Sequence, residues 1–337
     1  MNDEIKVDSA REKNELRRTY NRCGWVLFAY TALGFILVRL LDSLLVVAGD
    51  AALEFAGKYL LIYNAVLVAI PTAAVALLLL RVPKAAPERK KISVKGFGAV
   101  VLITFGVSYV GNIVSRFLIN LVYSFSGIAI GDRVSAAISA VEPWQVILCT
   151  VVLGPIMEEF LFRKLLIDRL YKHGELLAIL VSAAFFGLFH QNVYQIAGAA
   201  GAGLVLGYLY CKTGSYLAVT LLHMIYNLIG VIPAFLTARL AEYSGMTAEE
   251  LAALPPELSA DYNSAMSVLL AYSGVVMAIN IVGVVVFLIC RKKIVIEKNA
   301  PTLLESDKRD IVLRAPGIVA AGVIMLVLTV VSIIQMI

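Results

Sequence analysis

The chain has 337 residues, of which 60% are hydrophobic and 16% are charged, and its formal net charge is +5. Soluble domains are about 45 to 50% apolar, so this composition excludes an ordinary soluble protein and indicates a chain that crosses a membrane repeatedly. The basic residues cluster beside apolar segments, as they do in membrane proteins, and we therefore expect no nucleic-acid partner.

The apolar segments, taken in chain order, predict an all-α fold, a polytopic transmembrane helical bundle. A helix needs about 20 mostly apolar residues to cross the hydrocarbon layer, and this length gives about nine spans, with a range of about eight to ten. The predicted spans are residues 24–47, 59–82, 96–124, 143–171, 174–191, 193–211, 214–239, 264–290 and 316–337.

The spans divide the chain into five predicted parts. A charged N-terminus at 1–22 is followed by N-terminal transmembrane helices at 23–140. A membrane core at 141–239 carries the polar motifs described below. A loop at 240–263 then leads to C-terminal transmembrane helices at 264–337. The N-terminus shows no small-residue cleavage site after its first apolar run, so we expect that run to remain as an anchor.

The charges of the loops predict the orientation. Basic residues concentrate at 81–95 and 291–314, which the positive-inside rule assigns to the cytoplasm. The segment 239–261 is acidic, contains a helix-like run at 247–254, and suits an external loop. Nine spans then make this a multi-pass protein of the cell membrane with a cytoplasmic N-terminus. The turn between spans four and five contains His173, which we expect to be solvated.

The fourth span carries Glu158, Glu159 and Arg163. A charged side chain at mid-bilayer costs about 2.5 to 3.5 kcal/mol, so such residues indicate a functional site. Helix residues four apart share a face, and adjacent residues are rotated by about 100 degrees. The spacing therefore predicts an ion pair between Glu159 and Arg163, and leaves Glu158 without that partner and available for chemistry.

Two further motifs repeat the spacing of four. Phe186 and His190 lie on the fifth predicted span, and His223 and Asn227 lie on the seventh. If spans four and five form a hairpin that turns near residue 173, Glu158 and His190 lie about 15 and about 17 residues from the turn, at similar heights in the membrane. We therefore predict that the three motifs meet in one polar cluster.

The sixth predicted span is rich in small residues between 197 and 207, with Gly203 and Gly207 four residues apart. Small residues let helices approach closely in lipid. The pattern is consistent with close packing that draws spans four, five and seven around a site, and equally with ordinary membrane packing.

With the three motifs in order on successive spans, residues 141–230 resemble the CAAX protease and bacteriocin-processing family, also called Abi or CPBP intramembrane proteases. This family includes the Ras-converting CAAX prenyl endopeptidases. The resemblance covers about a quarter of the chain and implies hydrolysis of a peptide bond within the membrane by a glutamate-activated water. Beyond the three motifs, it includes Gly203, Gly207, Tyr208, Tyr210, Thr213, Gly214 and Ser215.

The resemblance implies four catalytic residues. Glu158, desolvated and without a cation at helical spacing, suits a general base, and His190 would help to orient the water. His223 and Asn227 would stabilise the oxyanion of the tetrahedral intermediate. The implied substrate is a membrane-associated peptide or protein, and nothing in the chain is specific for a prenyl group.

Three residues are expected to support this chemistry. Glu159 and Arg163 would hold the helix in place, and Phe186 would line the site. No cofactor is implied.

One alternative uses a metal. Glu158, His190 and His223 form a His2Glu set that resembles the ligands of a catalytic zinc. Asn227 is a poor zinc ligand and favours the glutamate mechanism.

Other classes of function remain open at this point. A non-catalytic immunity or scaffold protein would keep the same fold, and the motifs would then be a polar network that holds helices together. A secondary transporter would also place ionisable residues at mid-membrane, but transporters usually show repeated halves with broken helices. Here the polar motifs concentrate in one block of the chain.

Overall fold

A computed structural model describes residues 2–132, 137–138, 140–297 and 303–335, and the regular elements in these ranges are all helical. The predicted all-α bundle is therefore confirmed. The helices are α1 (Asn2–Ala48), α2 (Asp50–Lys58), α3 (Leu60–Leu79), α4 (Val94–Ser126), α5 (Pro143–His173), α6 (Glu175–Phe189), α7 (Val193–Thr213), α8 (Tyr216–Ala238), α9 (Ala248–Ala252), α10 (Pro256–Cys290), α11 (Glu305–Leu313) and α12 (Pro316–Ile334).

Seven of the described helices are long and apolar enough to span a membrane, namely α1, α3, α4, α5, α8, α10 and α12. The predicted spans at 174–191 and 193–211 correspond to α6 and α7. Helix α6 has 15 residues, or about 22 Å, which is short of the roughly 30 Å hydrocarbon layer. Helix α7 has 21 residues, but glycine and alanine dilute its apolar character. Much of each helix is buried against its neighbours, whereas Leu176, Leu180 and Leu204 are exposed.

Helix α5 alternates between α-helical and π-helical winding. Its α-helical turn Gly154–Glu159 lies between two π-helical segments, Ile147–Leu153 and Phe160–Ile167. A π turn inserts an extra residue into the helix, rotates the side chains that follow it, and often occurs at functional sites. The two adjacent glutamates therefore lie in an α-helical turn that has a π-helical segment on each side.

Small residues of α7 allow two close helix contacts. A Cβ atom at Gly198 would lie 1.9 Å from Oδ1 of Asn112 on α4, and one at Gly203 would lie 3.0 Å from Cα of Ala183 on α6. The predicted close packing at 197–207 is thus present. The same added Cβ at Gly203 would lie 3.2 Å from the ring of Phe186, so this packing also fixes a residue of the second motif.

The turn between α5 and α6 is covered by the N-terminal part of α1. His173 is only 3% exposed, and its ring centroid lies 6.2 Å from that of Tyr20. The prediction that His173 is solvated was wrong. His173 is buried because α1 begins well before its apolar part, and this N-terminal part packs over the turn.

The acidic segment 239–261 contains the short helix α9, within the predicted helix-like run at 247–254. Thr247 Oγ1 accepts a hydrogen bond from the Glu250 amide, and the Thr247 amide donates to the Glu250 carboxylate. The bond from the Thr247 backbone lowers the pKa of Glu250 from its usual value. This capping box fixes the start of α9.

Candidate active site

The first motif forms a buried ion pair. Nε of Arg163 lies 2.9 Å from Oε2 of Glu159, and both side chains are 0% exposed. Nη1 of Arg163 also donates to Oγ of Ser182 on α6 at 2.6 Å. The pair predicted from helical spacing is therefore confirmed, and it joins α5 to α6.

The other oxygen of Glu159 contacts the third motif. Oε1 of Glu159 lies 3.0 Å from Nδ1 of His223 on α8. An ionised carboxylate only accepts hydrogen bonds, so Nδ1 carries the proton in this contact. The Glu159 contact thus fixes the orientation of the His223 ring and directs Nε2 to the opposite side. Sequence reasoning missed this contact because motif spacing reports only partners within one helix.

Glu158 lies on that opposite side. Its Oε2 is 3.9 Å from Nε2 of His223, and the Glu158 side chain is 19% exposed. Oε2 is buried and has no hydrogen-bond partner among the described residues. The separation is too long for a direct hydrogen bond. The two adjacent glutamates therefore face opposite nitrogens of one imidazole, and only Glu159 is neutralised by an arginine.

His190 follows the last residue of α6. Its Nδ1 lies 2.8 Å from the carbonyl oxygen of Phe186, one turn earlier. A carbonyl only accepts hydrogen bonds, so Nδ1 donates and the lone pair remains on Nε2. The second motif thus fixes the tautomer of its own histidine.

The Phe186 ring links the three motifs. Its centroid lies 5.2 Å from that of His190 and 5.6 Å from that of His223. The guanidinium carbon of Arg163 lies 4.9 Å above the same ring, within range of a cation–π interaction. The Phe186 ring therefore contacts a residue of each motif.

The turn after His190 is held in an uncommon conformation. Gln191 has φ of 48°, the only positive φ of a non-glycine residue in the described ranges, and such residues cluster at functional sites. Asn192 caps α7 by accepting from the Tyr194 amide at 3.0 Å, and its amide group donates to Asp132 at 3.2 Å. These contacts fix the chain immediately after His190.

Asn227 lies one turn after His223 on α8. Its Nδ2 donates to the carbonyl oxygen of Thr150 at 2.9 Å, within the first π-helical segment of α5. Nearer the start of α8, the hydroxyl of Tyr216 donates to the carbonyl oxygen of Ile156 at 2.6 Å. The bond to Thr150 uses one of the two amide hydrogens of Asn227 and leaves the other available.

The alternative zinc set requires Glu158, His190 and His223 to converge on one point. In the part of the chain that the structure describes, no group of three or more His, Cys, Asp and Glu side chains lies close enough to hold a metal ion.

The helices and this cluster define a class, a polytopic membrane protein with a carboxylate–imidazole site among α5, α6 and α8. Residues 140–229 match the family model described as Type II CAAX prenyl endopeptidase Rce1-like. The matched range includes Glu158, His190, His223 and Asn227. Over this segment, about a quarter of the chain, the protein is similar to that family.

One curated protein is similar to part of the chain. The chain is 31% identical over 91 residues to the "Putative membrane peptidase YdiL" of Bacillus subtilis (strain 168). The matched region covers 27% of this chain and 37% of the relative. No solved structure gives a significant match to the chain.

Proposed function

We propose that this protein is an intramembrane endopeptidase that hydrolyses a peptide bond in a membrane-associated peptide or protein. The family of residues 140–229 supports peptidase chemistry. The single observation that carries the proposal is the arrangement of Glu158. Its buried Oε2 has no hydrogen-bond partner in the described ranges and lies 3.9 Å from Nε2 of a histidine whose other nitrogen is already held.

Glu158 is the proposed general base. It takes a proton from a water as the water oxygen attacks the substrate carbonyl carbon, and it later gives that proton to the departing amine. His190 holds the same water through Nε2, because its Nδ1 is committed to the Phe186 carbonyl. No serine or cysteine nucleophile is needed.

His223 and Asn227 are the proposed oxyanion donors. Asn227 donates its second amide hydrogen, since the first is bonded to the Thr150 carbonyl. His223 donates from Nε2 only as an imidazolium, because its Nδ1 proton already points to Glu159. The loss of one such donor typically lowers kcat about 100- to 1000-fold.

Glu159 and Arg163 are proposed as positioning residues. Glu159 fixes the ring of His223 with one oxygen and neutralises Arg163 with the other. Neither residue needs to contact the reacting atoms. This division gives the two adjacent glutamates different roles.

The proposal also includes an orientation with the N-terminus in the cytoplasm. The basic segments 81–95 and 291–314 support it through the positive-inside rule. The membrane itself and the substrate are the proposed partners.

A peptide library tests the proposed activity. The full chain, purified in detergent, is incubated with the library, and new peptide termini are identified by mass spectrometry. We expect cleavage by the parent and by Glu249→Gln, which alters an exposed carboxylate on α9, and no cleavage by Glu158→Ala or His223→Ala. Absence of cleavage by the parent would favour a non-catalytic scaffold protein, and cleavage that survives in both site variants would contradict the assignment of these two residues.

A further inference from the structure

A basic stripe lies on α1 just before its apolar part. Asn14, Arg17, Arg18 and Asn21 occur at helical spacing and share one face. This stripe faces Arg314 and Pro316 at the start of α12, and the two helices enclose a groove of about 710 Å³ lined by these six residues. The groove lies outside the family-matched segment and far along the chain from the proposed catalytic residues.

Three arginines line the groove, namely Arg17, Arg18 and Arg314. Among the described residues, none of Arg17, Arg18 and Arg314 forms an ion pair. Two acids of the same helical region have other partners, because Asp307 lies 3.6 Å from Lys13 and Glu15 bonds to Lys172. The groove therefore concentrates a positive potential.

The groove lies at the boundary of the membrane. On α1 the charged sequence ends at Arg22 and the apolar run follows, while the membrane-length helix α12 starts at Pro316. Trp25, 46% exposed, lies within the first turn of the apolar run, as the aromatic residues of membrane interfaces do. Phospholipid phosphates occupy this level of the bilayer.

The walls of the groove are fixed by close backbone packing. The Gly317 amide donates to Oδ1 of Asn21 at 2.7 Å. A Cβ atom at Gly317 would lie 2.2 Å from the carbonyl oxygen of Asn21, so only glycine allows this approach. The arginines are therefore presented from a rigid pair of helices.

We propose that this groove binds the phosphate of an anionic phospholipid, with the acyl chains along the apolar faces of α1 and α12. Guanidinium groups match phosphate oxygens with paired hydrogen bonds. Basic pockets between transmembrane helices at the cytoplasmic surface bind such headgroups. The binding does not depend on whether the chain cleaves peptides.

Native mass spectrometry of the full chain in neutral detergent tests this site. Phosphatidylglycerol and phosphatidylcholine with identical acyl chains are added in separate titrations, and the fraction of protein with one bound lipid gives the affinity. We expect phosphatidylglycerol to bind about tenfold or more tightly than phosphatidylcholine, since an anionic headgroup gains about fivefold from each arginine near the surface. Equal affinities for the two lipids would overturn the proposal.

Matched triple variants locate the site. The variant Arg17→Gln, Arg18→Gln, Arg314→Gln should lose the preference for phosphatidylglycerol. A control with the same loss of charge in the other basic segment, Arg81→Gln, Arg89→Gln, Lys91→Gln, should keep it. Equal losses in the two variants would show general surface attraction and contradict a site in the groove.

Two further measurements complete the test. Replacing the three groove arginines by lysine keeps their charge but not the paired hydrogen bonds, so a reduced preference for phosphatidylglycerol should remain, whereas complete loss of the preference would contradict a charge-based site. Inorganic phosphate at the same concentration should not displace the lipid. Displacement would identify free phosphate, rather than a headgroup, as the ligand and overturn the lipid assignment.

Discussion

Oε1 of Glu159 lies 3.0 Å from Nδ1 of His223, and this contact determines which nitrogen of the imidazole faces the site. Because Nδ1 donates to the carboxylate, Nε2 is directed to Glu158, 3.9 Å away. The arrangement joins α5 to α8, two helices far apart in sequence. It gives Glu159 a role in orientation in addition to its ion pair with Arg163.

Glu159→Gln should destabilise the protein strongly. The fully buried Arg163 would lose its counterion, and breaking a buried pair typically costs about 3 to 5 kcal/mol. Chemical denaturation in detergent measures the change. The matched control is Arg239→Gln, which breaks an exposed pair with Asp261 and should change stability by less than about 1 kcal/mol. Similar losses of stability in the two variants would contradict a stabilising role for the buried ion pair.

Asn227→Ala should lower kcat about 100- to 1000-fold, with little change in KM, because an oxyanion donor acts mainly in the transition state. Stability should fall by only about 1 to 3 kcal/mol, since the Thr150 carbonyl loses its partner. Steady-state kinetics on a cleaved peptide and a melting curve separate the two effects. An unchanged kcat would leave Asn227 with a structural role only.

Gly111→Ala and Gly230→Ala test the helix contacts directly. A Cβ atom at Gly111 would lie 2.3 Å from the carbonyl oxygen of Ala197, whereas nothing lies within 4 Å of one at Gly230. We expect Gly111→Ala to cost about 1 to 3 kcal/mol through overpacking. Gly230→Ala should be neutral or gain up to about 1 kcal/mol in helix propensity. Equal melting temperatures of the two variants would contradict the close approach of α4 and α7.

Cysteine labelling tests the orientation. Lys172→Cys lies at the turn between α5 and α6, and Glu249→Cys lies on α9. With a membrane-impermeant maleimide on intact cells, we expect labelling at position 249 and protection at position 172 until the membrane is opened. Labelling with the reverse pattern would invert the topology, and the parent chain supplies the background from its four own cysteines.

Helical spacing predicted side-chain contacts within a helix but few contacts between helices. It gave the Glu159–Arg163 pair because both residues lie on α5. The contact between Glu159 and His223 depends on how α5 and α8 cross and on the π-helical segments of α5, which periodicity does not reveal. The roles of Glu158, His190, His223 and Asn227 remain predictions.

Two features of the fold show the same limit of prediction from local sequence. Apolar length predicted the helices, but the short α6 and the glycine-rich α7 depend on neighbouring helices rather than on lipid for burial. The burial of His173 depends on α1, which packs over the turn from more than a hundred residues away. Local composition made that turn look solvated because it does not record which element covers it.

The most direct test of the central claim compares Glu158→Gln with the parent chain in two measurements, the single-turnover cleavage rate and the melting temperature. The side chain keeps its shape but loses the ability to take a proton. We expect the rate to fall at least about 1000-fold while the melting temperature is unchanged or higher, since Oε2 of Glu158 has no partner to lose among the described residues. A Glu158→Gln protein that cleaves at the parental rate would contradict the assignment of Glu158 as the general base.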